Sequence, residues 1–238
     1  MIPLYDRNPT RRFPIVTVGL IVACFAVFGL ELTVSMGGGD EALEGFFNQW
    51  GAVPARITAA LGSGNYLSGA ILGIFTSMFL HGGWLHVIGN MLYLWIFGNN
   101  VEDRLGRVGF LVFYLVGGVA AALTQVAIDP GSSNPLVGAS GAIAAALGAY
   151  LILFPGARIL SLVFLGIFCQ LLEVPALIIL GFWFVLQLIS GFASIEPATA
   201  QEGGVAFFAH IGGFVVGLVV GFVLRLRGAD SRALAPMG

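Results

Sequence analysis

Polar and apolar positions along this chain do not alternate; they fall into long apolar blocks separated by short polar stretches. A bilayer-spanning helix needs about 20 predominantly apolar residues, and six blocks approach that length. They run from Pro14 to about Leu32, Trp84 to about Asn99, and Phe110 to Ile128. The others run from the Gly138-Ala139-Ser140-Gly141 stretch to Pro155, from about Leu172 to Phe192, and from about Gly204 to Leu224. Ala70 to Leu80 is also apolar, breaks at His81-Gly82-Gly83, and reads as the entry to the second span. Between the spans lie an acidic, glycine-bearing loop from Ser35 to Gly69 and a turn-rich loop from Asp129 to Pro135. Ile159 to Leu171 is apolar but short, the length of an interfacial or re-entrant piece. The pattern therefore predicts an all-α polytopic membrane protein with six transmembrane helices. A basic leader (1–13), a six-span domain (14–227) and a short tail (228–238) make up the chain.

Composition agrees: 58% of the 238 residues are hydrophobic and 9% charged, with mean hydropathy +0.97. Soluble domains carry about 25% charged residues, so a water-soluble fold is excluded. The net charge of -2 gives no reason to expect a nucleic-acid partner. Cys24 and Cys169 both sit in apolar segments and read as packing residues, with neither a disulfide nor a metal site implied. The leader carries no cleavable signal pattern. The ten basic residues are all arginine, and with six spans only Arg56 falls on one side; Arg7, Arg11, Arg12, Arg104, Arg107, Arg158, Arg225, Arg227 and Arg232 share the other. By the positive-inside rule that side, with both termini, is cytoplasmic. Counting Ile159 to Leu171 as a seventh span would strand Arg225 and Arg227 outside.

Three of the spans carry polar groups that hydrocarbon disfavours: His86 with Asn90, Ser140, and His210. At 1.5 Å rise per residue, Ser140 lies roughly 21 Å above the end of its span near Phe154. His210 lies roughly 22 Å above Arg225, and His86 and Asn90 roughly 24 and 18 Å above Glu102. All four occupy one layer below the outer surface of a core about 30 Å thick. His210, Gly213, Gly217 and Gly221 fall on one stripe of the last span, a small-residue surface that permits close helix approach. A crossing against the Ser140 span, with its own Gly141, Ala145 and Ala149, would bring Ser140 to His210. A serine hydroxyl needs a base to become a useful nucleophile, and His210 can supply one. No carboxylate lies at that depth on either span, so the pair reads as a dyad. Asn90 and a His86 N–H, with backbone N–H groups near Ser140, can donate to a developing oxyanion. Hydrolysis needs water, so a wet cavity is expected at the outer end, with the Ser35–Gly69 loop available to cover it.

These residues resemble the rhomboid family of intramembrane serine proteases over nearly the full length, Ile15 to Arg225. The resemblance is carried by His81-Gly82-Gly83 with His86 and Asn90, and by Gly98 with Val101-Glu102-Asp103-Arg104-Leu105-Gly106. It is carried further by Gly138-Ala139-Ser140-Gly141 and by Ala209-His210-Ile211-Gly212-Gly213 with Gly217. It implies Ser140 as nucleophile, His210 as base, His86 and Asn90 as oxyanion stabilisers, a six-helix core and no cofactor. The implied partners are single-span or polytopic membrane-protein substrates in the lipid bilayer, and the implied setting is a prokaryotic inner membrane. Ala144 stands where some members carry an aromatic that stacks on the histidine. Trp50 and Arg56 are the nearest candidates for the aromatic–arginine pair of the first loop.

Each residue has a plainer reading. Ser140 alone could be helix glue, His86 a satisfied interhelical histidine, and His81 a residue fixing the break before span two. Glu102 and Arg104 read as a structural pair bonding loop backbone at the cytoplasmic end, and Glu173 as a snorkelling or capping residue at the start of span five. The rival to a protease is a non-enzymatic binder or chaperone of transmembrane segments, or a small transporter. A transporter favours paired intramembrane carboxylates or inverted repeats, and the sequence displays neither.

Overall fold

The computed structural model describes residues 1–165, 168–194 and 206–228. The expected start of the last span at Gly204 and the tail from 229 onward lie outside the described residues. Helices dominate, because a backbone in hydrocarbon must satisfy its own N–H and C=O groups. Helix α1 (Ile15–Trp50) runs well past the expected end of the first span, through a kink at Gly39 (φ 69°, ψ −162°), a conformation open to glycine. Much of the expected first loop is therefore helix, and α2 (Pro54–Gly62) takes up part of the rest, with proline at its first position. Helix α3 (Gly69–Thr76) and a 3₁₀ turn (Ser77–Phe79) lead into the His81-Gly82-Gly83 break. Beyond it come α4 (Trp84–Tyr93), a π-turn (Leu94–Gly98) and α5 (Asn99–Leu105), the two limbs bending by 78°.

Helices α6 (Arg107–Ile128), α7 (Ser140–Leu153), α8 (Ala176–Ala193) and α9 (Phe207–Leu226) complete the bundle. Among the described residues α1, α6, α8 and α9 are long and apolar enough to cross a membrane; the bent pair, taken as one span, makes five. Helix α7 is shorter and central: every residue from Gly141 to Tyr150 is buried. Around it the surface is apolar, with Val112 and Val116 of α6, Ile178, Phe182 and Ile189 of α8, and Val219 and Phe222 of α9 exposed. A surface of this kind faces lipid. The chain is an integral, multi-pass membrane protein.

The all-α expectation needs correction, because the protein is mostly helical with a small sheet. Strands β1 (Ile2–Asp6), β2 (Arg158–Leu165) and β3 (Phe168–Pro175) pair antiparallel in that order. The described residues of the apolar stretch Ile159–Leu171, expected as an interfacial or re-entrant piece, lie in β2 and β3, and five of the thirteen leader residues form the sheet's third strand. Span five consequently begins at Ala176, since Leu172 to Pro175 belong to β3. A hairpin bonds its strands to each other, so an apolar run too short to span need not become helix. One face of the sheet packs on the bundle through Asp6, Ile159 and Ser161, all buried. The Asp6 carboxylate accepts hydrogen bonds from Tyr150 Oη (2.6 Å) and Asn8 N–H (2.8 Å). Burial raises its pKa above the ordinary aspartate value, against the lowering effect of those two donors.

Candidate functional site

Ser140 opens α7, and the loop before it is held from two sides. Ala52 exchanges both backbone hydrogen bonds with Leu136 (3.1 and 2.9 Å), Ala55 N–H donates to Ser132 (2.9 Å), and Gly138 N–H donates to Ser77 O (2.9 Å). The stretch expected to cover the site thus braces the serine loop. Gly138 has φ 129°, and a Cβ there would sit 2.7 Å from His86 Nε2 and 3.5 Å from Ser140 Oγ. Only glycine leaves that space open. Ser140 is the first helical residue, so N–H groups of the first turn lack intrahelical acceptors and face the hydroxyl end of the helix.

Helix α9 crosses α7 at backbone contact. A Cβ at Gly213 would overlap Gly141 O, one at Gly217 would overlap Ala145 O, and one at Gly221 would lie 3.0 Å from Ala149 O. Gly141 itself faces Ala121 of α6, where a Cβ would come within 2.6 Å of the alanine methyl. This close approach brings His210 Nε2 to 2.7 Å from Ser140 Oγ. The other ring nitrogen, Nδ1, lies 2.7 Å from Gln187 Oε1 on α8. Trp183, one turn earlier on α8, lies against the same imidazole, with ring centroids 5.8 Å apart and planes inclined by 38°. Ala144 contributes no ring, so the aromatic neighbour of His210 comes from α8. A histidine accepting from a serine hydroxyl while its far N–H meets an acceptor can take a proton from that hydroxyl.

His86 Nδ1 accepts from Gly82 N–H (3.3 Å), which leaves its Nε2–H directed at the Gly138 gap beside Ser140. Asn90 lies one turn further along α4. Its Nδ2 is buried and without a hydrogen-bond partner among the described residues, a donor available to something that arrives. His81 is almost fully buried at the break, with Nδ1 3.1 Å from Phe79 O and its ring edge-on to His86 at 5.2 Å. Its backbone N–H donates to Glu31 Oε1 (3.0 Å). Ser140, His210 and His86 therefore converge on one end of the bundle, and Asn90 lies one turn from His86 on α4.

The remaining residues lie at the opposite end. Glu102 accepts from Val16 N–H (3.0 Å), Thr17 N–H (2.7 Å) and Thr17 Oγ1 (2.7 Å), and so caps α1. Arg104 stands over the Phe154 ring at 5.8 Å. Glu173 lies on β3 and pairs with Arg7 at 2.9 Å. In the outer segment, Arg56 bonds Asn48 O, tying α2 to the end of α1 near Trp50. No group of three His, Cys, Asp or Glu side chains among the described residues is placed to hold a metal. The sequence reading passed over two residues that the fold makes prominent, Gln187 and Glu31. Both were visible as polar side chains in apolar blocks, Gln187 at roughly 16 Å above the start of α8 by helical rise. Which helix each would face could not be read.

A polytopic helical membrane protein with a hydrogen-bonded serine–histidine pair where two of its helices cross is the class that fold and site define. The rhomboid domain family model matches residues 68–227. The chain belongs to the rhomboid family. It is 32% identical over 154 residues to RHOMBOID-like protein 5 of Arabidopsis thaliana, covering 65% of this chain and 44% of that one. With Rhomboid protein 1, mitochondrial, of Saccharomyces cerevisiae it shares 31% over 161 residues, or 64% and 42% of the two chains. With Rhomboid protease GluP of Bacillus subtilis it shares 32% over 158 residues, or 66% and 27%. The chain thus spans about half the length of these relatives or less.

Proposed function

We propose that this protein is an intramembrane serine endopeptidase that cuts membrane-protein substrates near the outer end of a transmembrane segment. The observation that carries the reading is the 2.7 Å Ser140 Oγ–His210 Nε2 contact, in a family whose relatives include a named rhomboid protease. Ser140 Oγ attacks the scissile carbonyl carbon as its proton passes to His210 Nε2. The carbonyl oxygen becomes an oxyanion, which Asn90 Nδ2, His86 Nε2–H and first-turn N–H groups of α7 stabilise by hydrogen bonds. The C–N bond then breaks, His210 returns the proton to the leaving amine, and an acyl-enzyme remains on Ser140. Water, deprotonated by His210, attacks the ester and releases the second product.

Six spans serve this function in our reading: the four long helices, the bent α4–α5 limb with its α3 entry, and α7. Helix α7 is short because other helices, not lipid, surround it, so it need not match the hydrocarbon thickness. The arginine distribution orients both termini to the cytoplasm, and the setting is a prokaryotic inner membrane. A substrate helix bonds its own carbonyls, and leaving one unpaired in hydrocarbon costs several kcal/mol. The site therefore acts on a segment that has unwound, and glycine or proline below the cut favours unwinding.

The test is reconstitution in liposomes with a panel of single-span substrates, with cuts mapped by mass spectrometry. Ser140→Ala and His210→Ala are each expected to reduce cleavage, and labelling by a mechanism-based serine reagent, to background while melting normally. Replacing the glycine or proline of a substrate by leucine is expected to slow cleavage. Robust cleavage by a well-folded Ser140→Ala protein would end the protease reading. Binding of transmembrane segments with neither cleavage nor labelling would leave a non-enzymatic binder in its place.

A further inference from the structure

We infer that Gln187 is the positioning residue for His210, its side-chain carbonyl fixing the imidazole tautomer that can accept the Ser140 proton. The inference rests on the protease reading and deepens it, since it makes α8 part of the base. A neutral imidazole carries one N–H and one lone pair, and which nitrogen holds the proton is set by the partner of the other. Gln187 Oε1, 2.7 Å from Nδ1, can only accept, so Nδ1 carries the hydrogen. Nε2 is then the acceptor, and it is the atom that faces Ser140 Oγ at 2.7 Å. In the opposite tautomer the Gln187 oxygen would face a lone pair, and Nε2–H would donate to the Ser140 hydroxyl, leaving no lone pair there to take its proton.

The same contact serves the transition state. Once His210 has taken the proton, both ring nitrogens donate, and the bond from Nδ1 to Gln187 becomes charge-assisted and stronger. A neutral amide does this without the cost of an ionised carboxylate beside a buried histidine while that histidine is uncharged. The position of Gln187 is itself fixed by packing. Trp183, four residues earlier on the same face of α8, lies against His210 and against Phe214 (5.9 Å). Phe184 stacks on Phe214 at 4.4 Å with planes inclined by 15°. These ring contacts set the rotation of α8 about its axis, and that rotation aims the amide at Nδ1. The aromatic support that Ala144 cannot provide and the acceptor that neither α7 nor α9 carries thus arrive together from one helix face.

The experiment uses the full chain in liposomes with a single-span substrate, reading kcat, KM, melting temperature and the rate of serine-reagent labelling. Gln187→Leu and Gln187→Met remove the acceptor; Gln187→Glu keeps an acceptor at the same reach. Loss of one hydrogen bond of about 1.4 kcal/mol is a factor of ten, so both acceptor-free variants are expected to lose roughly tenfold in kcat. Labelling is expected to slow in proportion, with KM and melting temperature unchanged, and Gln187→Glu is expected to recover most of the rate. Wild-type kcat in either acceptor-free variant would overturn the inference. So would a loss that follows melting temperature and is not recovered by Gln187→Glu, because that pattern belongs to packing. If Gln187→Leu does not fold, the comparison of Gln187→Met with Gln187→Glu decides. In all these cases wild-type cleavage and Ser140 labelling leave the protease reading standing; a wild-type chain that does neither overturns both.

Discussion

Gly213→Ala adds one methyl group at the place where α9 lies on the carbonyl following Ser140. The new Cβ would overlap Gly141 O, approach its carbonyl carbon at 3.1 Å, and touch the Ala144 methyl at 3.4 Å. The obstacle is backbone in the first turn of a buried helix and cannot swing aside as a side chain would. Restoring a normal contact distance requires the helices to separate on the order of 1 Å. His210 sits one turn from position 213 and moves with it, so the 2.7 Å bond to Ser140 would lengthen out of hydrogen-bonding range. Overpacking of this size costs about 1–3 kcal/mol of stability, and exchanging glycine for alanine within a helix returns roughly 1 kcal/mol. The net change in stability is then small, about 0–2 kcal/mol. A misplacement of about 1 Å at a reacting pair costs on the order of 10²-fold in rate, so activity should fall further than stability. Cleavage in liposomes and serine labelling would be measured beside thermal melting, with Gly181→Ala as the control because a Cβ there meets nothing within 4 Å. Wild-type turnover in a Gly213→Ala protein would refute the claim that helix approach sets the Ser140–His210 distance.

Asn90→Ala is expected to lower kcat by about 10²-fold with little change in KM. Because Nδ2 is buried and unpaired among the described residues, the same change should leave the melting temperature unchanged or raised; a fall in melting temperature with normal kcat would make Asn90 a packing residue. His86→Ala is expected to act on kcat in the same direction, and an effect confined to KM would remove it from the oxyanion role. Asp6 predicts a pH effect on stability. Its pKa is raised by burial above the ordinary 3.8, so the folded protein binds this proton more readily than the unfolded chain. The resulting penalty is full above the folded pKa and is relieved as pH falls through it toward 3.8. The difference in melting temperature between wild type and Asp6→Asn should therefore shift in favour of wild type on acidification; a difference that shifts the other way would show that the Tyr150 and Asn8 bonds outweigh burial.

The polar residues of the site were legible because hydrocarbon makes them conspicuous. His86, Asn90, Ser140 and His210 interrupt apolar blocks at similar calculated depths, and the glycines at positions 213, 217 and 221 mark a helix face by spacing alone. Gln187 was equally conspicuous, but its role depends on the rotation of α8, which Trp183, Phe184 and Phe214 set by ring packing between helices. Glu31 belongs to the same case: an acid in the first apolar block, whose partner is the backbone of His81 some fifty positions away.

The hairpin shows where local pattern loses its hold. Ile159 to Leu171 is apolar at a length that fits neither a span nor a soluble core element. Its first four residues pair with Ile2 to Asp6, from the other end of the chain, and the bond from Tyr150 to Asp6 ties that strand to the bundle. By itself, the sequence determined that the chain enters the membrane and roughly where most of its spans lie. These follow from transfer free energy and helical rise, which each segment carries within itself. Only the tertiary structure decided that a sheet closes the basic end, that α1 extends to Trp50, and that α8 delivers an acceptor to His210. Such features rest on contacts between segments distant in sequence, whose energies no single segment contains.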